Sequence, residues 1–145
     1  MSEQLQQRTG STVVVGVDAS DTAAHALAYA IGIARRQHAR LLLVHALPFT
    51  DYRFDVTGRF RAALPVEEDT AWLDELVTEM TADLDLEVRV VRCLGDPSAR
   101  LLQAAQEEWA DLIVVGQSKS ILHRWAGAVG RKLQRRAPVP VMVVP

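Results

Sequence analysis

The amino-acid sequence predicts one α/β domain, a doubly wound open sheet of five parallel strands in the order 3-2-1-4-5 with four helices on its two faces. Three observations lead there. Five short runs, VVVGV at 13–17, LLLV at 41–44, LEVRVV at 86–91, LIVVG at 112–116 and VPVMVV at 139–144, are mostly apolar on both alternate sets of positions, as strands covered on both faces are. Helix-length segments rich in Ala, Leu, Gln, Arg and Glu separate them, at about 21–37, 67–83, 97–109 and 122–136. The chain has 145 residues, of which 49% are apolar and 23% charged, enough for one core that needs no disulfide or metal staple.

Each element has a local reason. The β-branched first run leads into an alanine-rich helix for which Ser20 or Asp21 is the expected cap. Residues 48–65, between the second strand and the acidic helix, show no period and read as a long connection. Pro97 and Ser98 open the third helix, where the missing proline N–H costs nothing. The polar first eleven residues read as a disordered N-terminus, with the folded domain over 12–145. They lack the apolar stretch of a secretory signal, and no run approaches the roughly 20 apolar residues of a membrane span, so a cytoplasmic protein without a membrane partner is expected. Cys93 is the single cysteine and excludes an internal disulfide.

Charge is unevenly placed around a net value of −2. Residues 67–87 hold nine acids and no Lys or Arg, whereas residues 117–136 hold six Lys or Arg and no acid. A sequence pI near 6.1 argues against a nucleic-acid partner. In a doubly wound sheet ligands bind where the strand order reverses, beyond the carboxyl ends of the first and fourth strands. Those ends are Val17-Asp18-Ala19-Ser20 and Val115-Gly116-Gln117-Ser118.

Four segments in order resemble the universal stress protein family. They are VVVGVDASDTAAHALAYAIGIARRQHARLLLVHAL, the Gly95-Asp96-Pro97 turn with LLQAAQEEWADLIVVG, Gly127-Ala128-Val129, and RRAPVPVMVV. The similarity covers nearly everything from Ser11 to Pro145 and implies an adenine nucleotide alpha hydrolase-like fold. Nucleotide-binding members of the family carry Gly-x-x-Gly, nine residues, then Gly-Ser or Gly-Thr, a loop whose N–H groups and hydroxyl cradle phosphate. This chain starts the pattern at Gly116 and departs three times: Lys119 replaces the second glycine, Ala128 replaces the hydroxyl residue, and Gly116 to Gly127 is shorter by two residues. The loop is more similar to the UspA-type branch that is not thought to hold ATP. Against that, Asp18 stands where the family places an aspartate near adenine and ribose, and Ala46 where a small residue lines the base. The resemblance implies a stress-response regulatory or binding module without tight ATP binding. The competing expectation is an ATP- or AMP-binding member with slow hydrolysis or phosphotransfer, and no cofactor is committed. A nucleotide site, if used, would draw on Val17, Asp18, Ser20, Ala46, Gly116, Ser118, Lys119, Gly127, Ala128, Val129 and Gly130.

Other residues of chemical interest have plainer uses. His45, at a strand end, reads as a hydrogen-bonded packing residue, and His25 and His38 are too far apart for a metal site. His123 reads as solvated, Cys93 as a small buried hydrophobe, and Trp72 and Trp109 as packing anchors. A phosphoreceiver domain would need aspartate where Cys93-Leu94 stands, and a pyrophosphatase-type loop would need Ser-Gly-Gly-x-Asp-Ser where Asp18-Ala19-Ser20-Asp21 stands. No nucleophile elbow or metal-ligand spacing is found, so no enzyme is expected. The last run lies at a sheet edge and contains the edge marker Pro140, so a homodimer through Val139, Val141, Met142 and Val143 is expected, alongside a protein partner.

Overall fold

Apolar runs become strands and alanine-rich segments become helices in the order that the hydrophobic pattern predicts. The computed structural model describes residues 10–18, 22–47, 49–65, 70–117 and 132–145, with backbone alone for 49–53 and 62–65. In chain order the elements are β1 (Thr12–Gly16), α1 (Ala23–Gln37), β2 (Arg40–Leu47), β3 (Phe49–Phe54), β4 (Phe60–Pro65), α2 (Ala71–Thr81), β5 (Val88–Leu94), α3 (Pro97–Glu107), β6 (Leu112–Gly116), the helical residues 132–136 that we label α4, and β7 (Val141–Val144). The main sheet has the order β5-β2-β1-β6-β7 and all its pairings are parallel. Counting only its own five strands, this is the predicted 3-2-1-4-5 order.

Alternation along the strands divides the core into two layers. Val13, Val15, Leu41, Leu43 and Val114 face α1 and Leu73 of α2. Val14, Leu42, Val44, Ile113 and Val115 face Leu101 and Ala105 of α3 and Leu133 of α4. β1 is buried along its whole length, which explains a run with no polar alternation. β5 at one edge alternates between half-buried and exposed positions, and it extends past the expected 86–91 to Leu94 because Cys93 and Leu94 pair with Ala46 and Leu47. α1 buries Ala23, Ala26, Leu27, Ala30, Ile31 and Ala34 at helical spacing, and Arg35 and Arg36 in its last turn complement the helix dipole.

Three local expectations are corrected. The stretch 48–65 is not a featureless connection: β3 and β4 form an antiparallel hairpin outside the main sheet. Its pattern escapes a hydrophobic reading because Phe54 and Phe60 are about 60% exposed, so burial imposes no period. Asp55 builds the turn instead. Its carboxylate accepts from the Thr57 hydroxyl at 2.6 Å and from the N–H groups of Arg59 and Thr57, bonds that hold its carboxyl below the ordinary carboxylate range.

The cap of α1 falls on Thr22, whose side chain makes no capping bond, while Ser20 and Asp21 lie outside the described residues. Trp109 is no packing anchor either: it is 67% exposed and holds φ +52° just past the end of α3. There Ala110 N–H returns to the Ala105 carbonyl at 2.9 Å, a helix-ending bond that places the preceding residue in the left-handed region. Trp72, by contrast, does pack against the α1/α2 layer. α3 opens as expected with Pro97 in its first turn, and Asp96 accepts from Ala99 N–H at 3.0 Å. Of residues 1–11, expected to be a disordered N-terminus, 1–9 lie outside the described residues, as does most of the fourth predicted helix, while the Ser11 carbonyl already accepts from Arg40 N–H at 2.9 Å.

Candidate functional site

Strand order reverses between β1 and β6, so the crevice lies beyond their carboxyl ends. β1 gives way to Val17 and Asp18. Val17 continues the pairing with β2, donating its N–H to the Val44 carbonyl at 3.0 Å, and its side chain is fully buried in the α1/α2 layer. The Val17 carbonyl meets Nδ1 of His45 at 2.8 Å. A carbonyl can only accept, so Nδ1 carries the proton. The His45 ring is 2% exposed and stands edge-on to Trp72, with centroids 5.5 Å apart. His45 is thus the hydrogen-bonded packing residue expected from its place at a strand end. What it packs is the turn that presents Asp18.

Asp18 is half-buried, with Oδ2 out of solvent. Ala46, 3% exposed, ends the β2 side and lies opposite Cys93 on β5. The Cys93 thiol is half-buried and lies 3.8 Å from the His45 carbonyl oxygen. Burial pushes the thiol up, with the Arg100 charge working the other way, so Cys93 is a poor nucleophile. Beyond β5, Gly95 holds φ +122°, a conformation that L side chains rarely adopt.

Gly116 ends β6. A Cβ added there would stand 2.6 Å from the Thr22 hydroxyl and 3.1 Å from the Thr22 carbonyl oxygen, so the missing side chain is what lets the start of α1 close on β6. This packing role comes before any phosphate role. Gln117 N–H donates to the Val144 carbonyl at 2.6 Å, which carries the β6–β7 pairing to the crevice rim.

The structure therefore brings together Val17, Asp18, Ala46 and Gly116 at one end of the sheet. Ser20, Ser118, Lys119, Gly127, Ala128, Val129 and Gly130 lie outside the described residues, as do His123 and Trp125. Of the basic segment, Lys132 is seen 3.9 Å from the Asp96 carboxylate at the α3 N-terminus. His25 and His38 are exposed, and no group of three or more metal-ligating side chains occurs among the described residues. Sequence reasoning did not single out Thr22. Its signal was its place just before the alanine-rich helical pattern.

The comparisons with known proteins agree with this architecture. The model of the universal stress protein family matches residues 11–145, and the chain belongs to that family. A universal stress protein of Thermus aquaticus is 33% identical, the match covering 92% of this chain and 97% of that one. One from Mycobacterium tuberculosis is 34% identical over 92% and 94% of the two chains. Among solved structures, a universal stress protein in complex with cAMP is 28% identical, with a TM-score of 0.66 over 93% of this chain and 96% of that one. A universal stress protein from Archaeoglobus fulgidus, 24% identical with a TM-score of 0.70 over 98% of both chains, has the same fold.

The contact at Gly116 generates a prediction. Gly116→Ala drives a methyl group into the backbone and hydroxyl of Thr22, and we expect a loss of about 1–3 kcal/mol. Urea unfolding of the ligand-free protein measures it, and an unchanged midpoint would mean that the start of α1 does not close on β6.

Proposed function

We propose that this chain is a stress-response regulatory or binding module of the cytoplasm that works as a homodimer and holds adenine nucleotides weakly if at all. The observation that carries the reading is a crevice retained in half. Val17, Asp18, Ala46 and Gly116 stand together at the switch point, which supports a site for a base and ribose. The phosphate side carries Lys119 for the second glycine and Ala128 for the hydroxyl residue, in a loop two residues short. A side chain at a glycine position obstructs close approach of backbone to phosphate, and the lost hydroxyl removes a donor. Burial raises the thiol of the one cysteine, which supports a binding role over thiolate chemistry.

A second reading has its own support. Asp18 and Ala46 keep their places, and the 28% identical relative is in complex with cAMP. On that reading the chain binds ATP or AMP, with the cationic segment at 117–136 meeting phosphate by charge, and slow hydrolysis or phosphotransfer would follow. Calorimetry separates the two. We expect ATP and AMP dissociation constants of about 0.1 mM or weaker, each missing phosphate contact removing roughly 1 kcal/mol. A micromolar constant would establish the second reading. Whatever nucleotide binding is measured, Asp18→Ala should weaken it more than a substitution at His123, and equal effects would misplace the crevice.

The proposed dimer forms through the last strand. β7 pairs with β6 on one side and with no other described strand, while Val139, Val141, Met142 and Val143 are only half-buried. An apolar edge of this kind is an aggregation hazard unless covered, and a second copy about a two-fold axis covers it. Val141→Lys with Val143→Lys should give folded protein with a much weaker tendency to pair. Light scattering on the wild type at micromolar concentration should give twice the chain mass, and a clean 16.0 kDa species would exclude this dimer.

A further inference from the structure

Two surfaces of this chain are incompletely covered, and they carry opposite charge. One is the end of the β3–β4 hairpin. Phe54 and Phe60 stack edge to face at 6.0 Å yet remain 61% and 60% exposed, and Val56 between them is wholly exposed. The turn is set by three hydrogen bonds to the Asp55 carboxylate, so the aromatic pair is held ready rather than disordered. Arg59 and Arg61 on either side of Phe60 are exposed and make no ion pair among the described residues. Asp55, on the same turn, already accepts three hydrogen bonds within it.

The other surface is α2. Leu73 is its one buried residue, and Leu76, Val77 and Met80 are only partly covered by the core beneath. Glu75 and Glu79, four residues apart and so on one stripe of the helix, are exposed, as is Asp83 just beyond its end. Arg92 of β5 takes Asp74 at 2.6 Å, but none of these three acids has an ion pair among the described residues. Glu79 and Asp83 lie at the carboxyl end of the helix, where the dipole disfavours negative charge, and the last turn has no basic residue. This end of α2 favours a cation that the described part of its own chain does not supply. The hairpin strands pair with each other, and no described hydrogen bond or ion pair ties them to α2.

We propose that the β3–β4 hairpin docks on the α2 face of a second copy of this chain, Phe54 and Phe60 packing on Leu76 and Met80 while Arg59 and Arg61 meet Glu75 and Glu79. Aromatic rings on methionine and leucine bury the apolar halves, and the arginines supply the cation at the helix end. Each copy carries both halves, so a two-fold arrangement makes the contact twice. The surface is separate from the β7 edge and does not depend on the crevice binding anything.

Complementary charge reversal tests the docking. Sedimentation equilibrium is run on the full chain carrying Val141→Lys and Val143→Lys, where hairpin docking is the monomer–dimer step. The wild type is run in parallel, where docking is the step beyond the edge dimer. Arg59→Glu with Arg61→Glu should weaken that step about tenfold or more, and Glu75→Arg with Glu79→Arg should do the same. Mixing the two variants pairs a reversed hairpin with a reversed helix and the native hairpin with the native helix. The mixture should therefore regain association to within about threefold, and lose it as salt rises from roughly 50 to 500 mM. Circular dichroism confirms that each variant is folded. Self-association unaffected by either reversal, or a mixture of folded variants that stays apart, would overturn the proposal. A reversal that lowers the melting temperature without changing the mass would also overturn it, because the hairpin would then be closing on its own α2.

Discussion

The hydrogen bond between the His45 ring and the Val17 carbonyl fixes the place where this fold turns from scaffold into site. Val17 lies one residue past the end of β1, where its carbonyl is met by a side chain. An unpartnered carbonyl buried under α2 would be costly, by roughly 1–3 kcal/mol. Nδ1 of His45 satisfies it at 2.8 Å, and the edge-on contact with Trp72 keeps the ring in position. The arrangement links three elements, β1, β2 and α2, at the point from which Asp18 projects. On the other side of the switch point the corresponding device is an absence of atoms: Gly116 lets Thr22 and the start of α1 come within contact of β6. A side chain present and a side chain missing together shape the strand ends on either side of the switch point.

Much of this was legible in the sequence, because burial on both faces writes itself as uninterrupted apolar runs. LIVVG at 112–116 is β6 without adjustment, and VVVGV and LLLV mark β1 and β2 to within a few residues. Positions in the crevice followed from topology, since the carboxyl ends of parallel strands on either side of a reversal can be counted off once the strands are known. The hairpin was not legible. Its strands pair with each other around the turn at Asp55, and Phe54 and Phe60 beside that turn are exposed, so burial writes no period there. Trp109 misled for the opposite reason. A tryptophan is ordinarily a large buried anchor, but here the end of α3 demands a residue in the left-handed region, and the chain meets that demand with an exposed side chain.

The two ends of the sheet differ in kind. At the amino ends of β1, β2 and β5 a shallow pocket is lined by Thr12, Arg40, Glu87, Arg89 and Glu108. Three of its charged residues engage one another: Arg40 reaches the Thr12 hydroxyl at 3.0 Å and Glu108 at 3.7 Å, and Arg89 also pairs with Glu108. These ion pairs join the end of α3 to β2 and β5, each contributing little stability at the surface. At the carboxyl ends, the groups of the candidate site are a half-buried carboxylate, the small apolar Ala46 and Gly116.

The proposed crevice receives whatever small molecule this domain accepts at the carboxyl ends of β1 and β6. Amide chemical-shift mapping with millimolar AMP measures this directly and does not require tight binding. The largest changes are predicted at Val17, Asp18, Ala46, Gly116 and Gln117, with Thr12, Arg40, Arg89 and Glu108 unmoved. Changes concentrated at the amino-end pocket, or spread evenly over both ends, would contradict it.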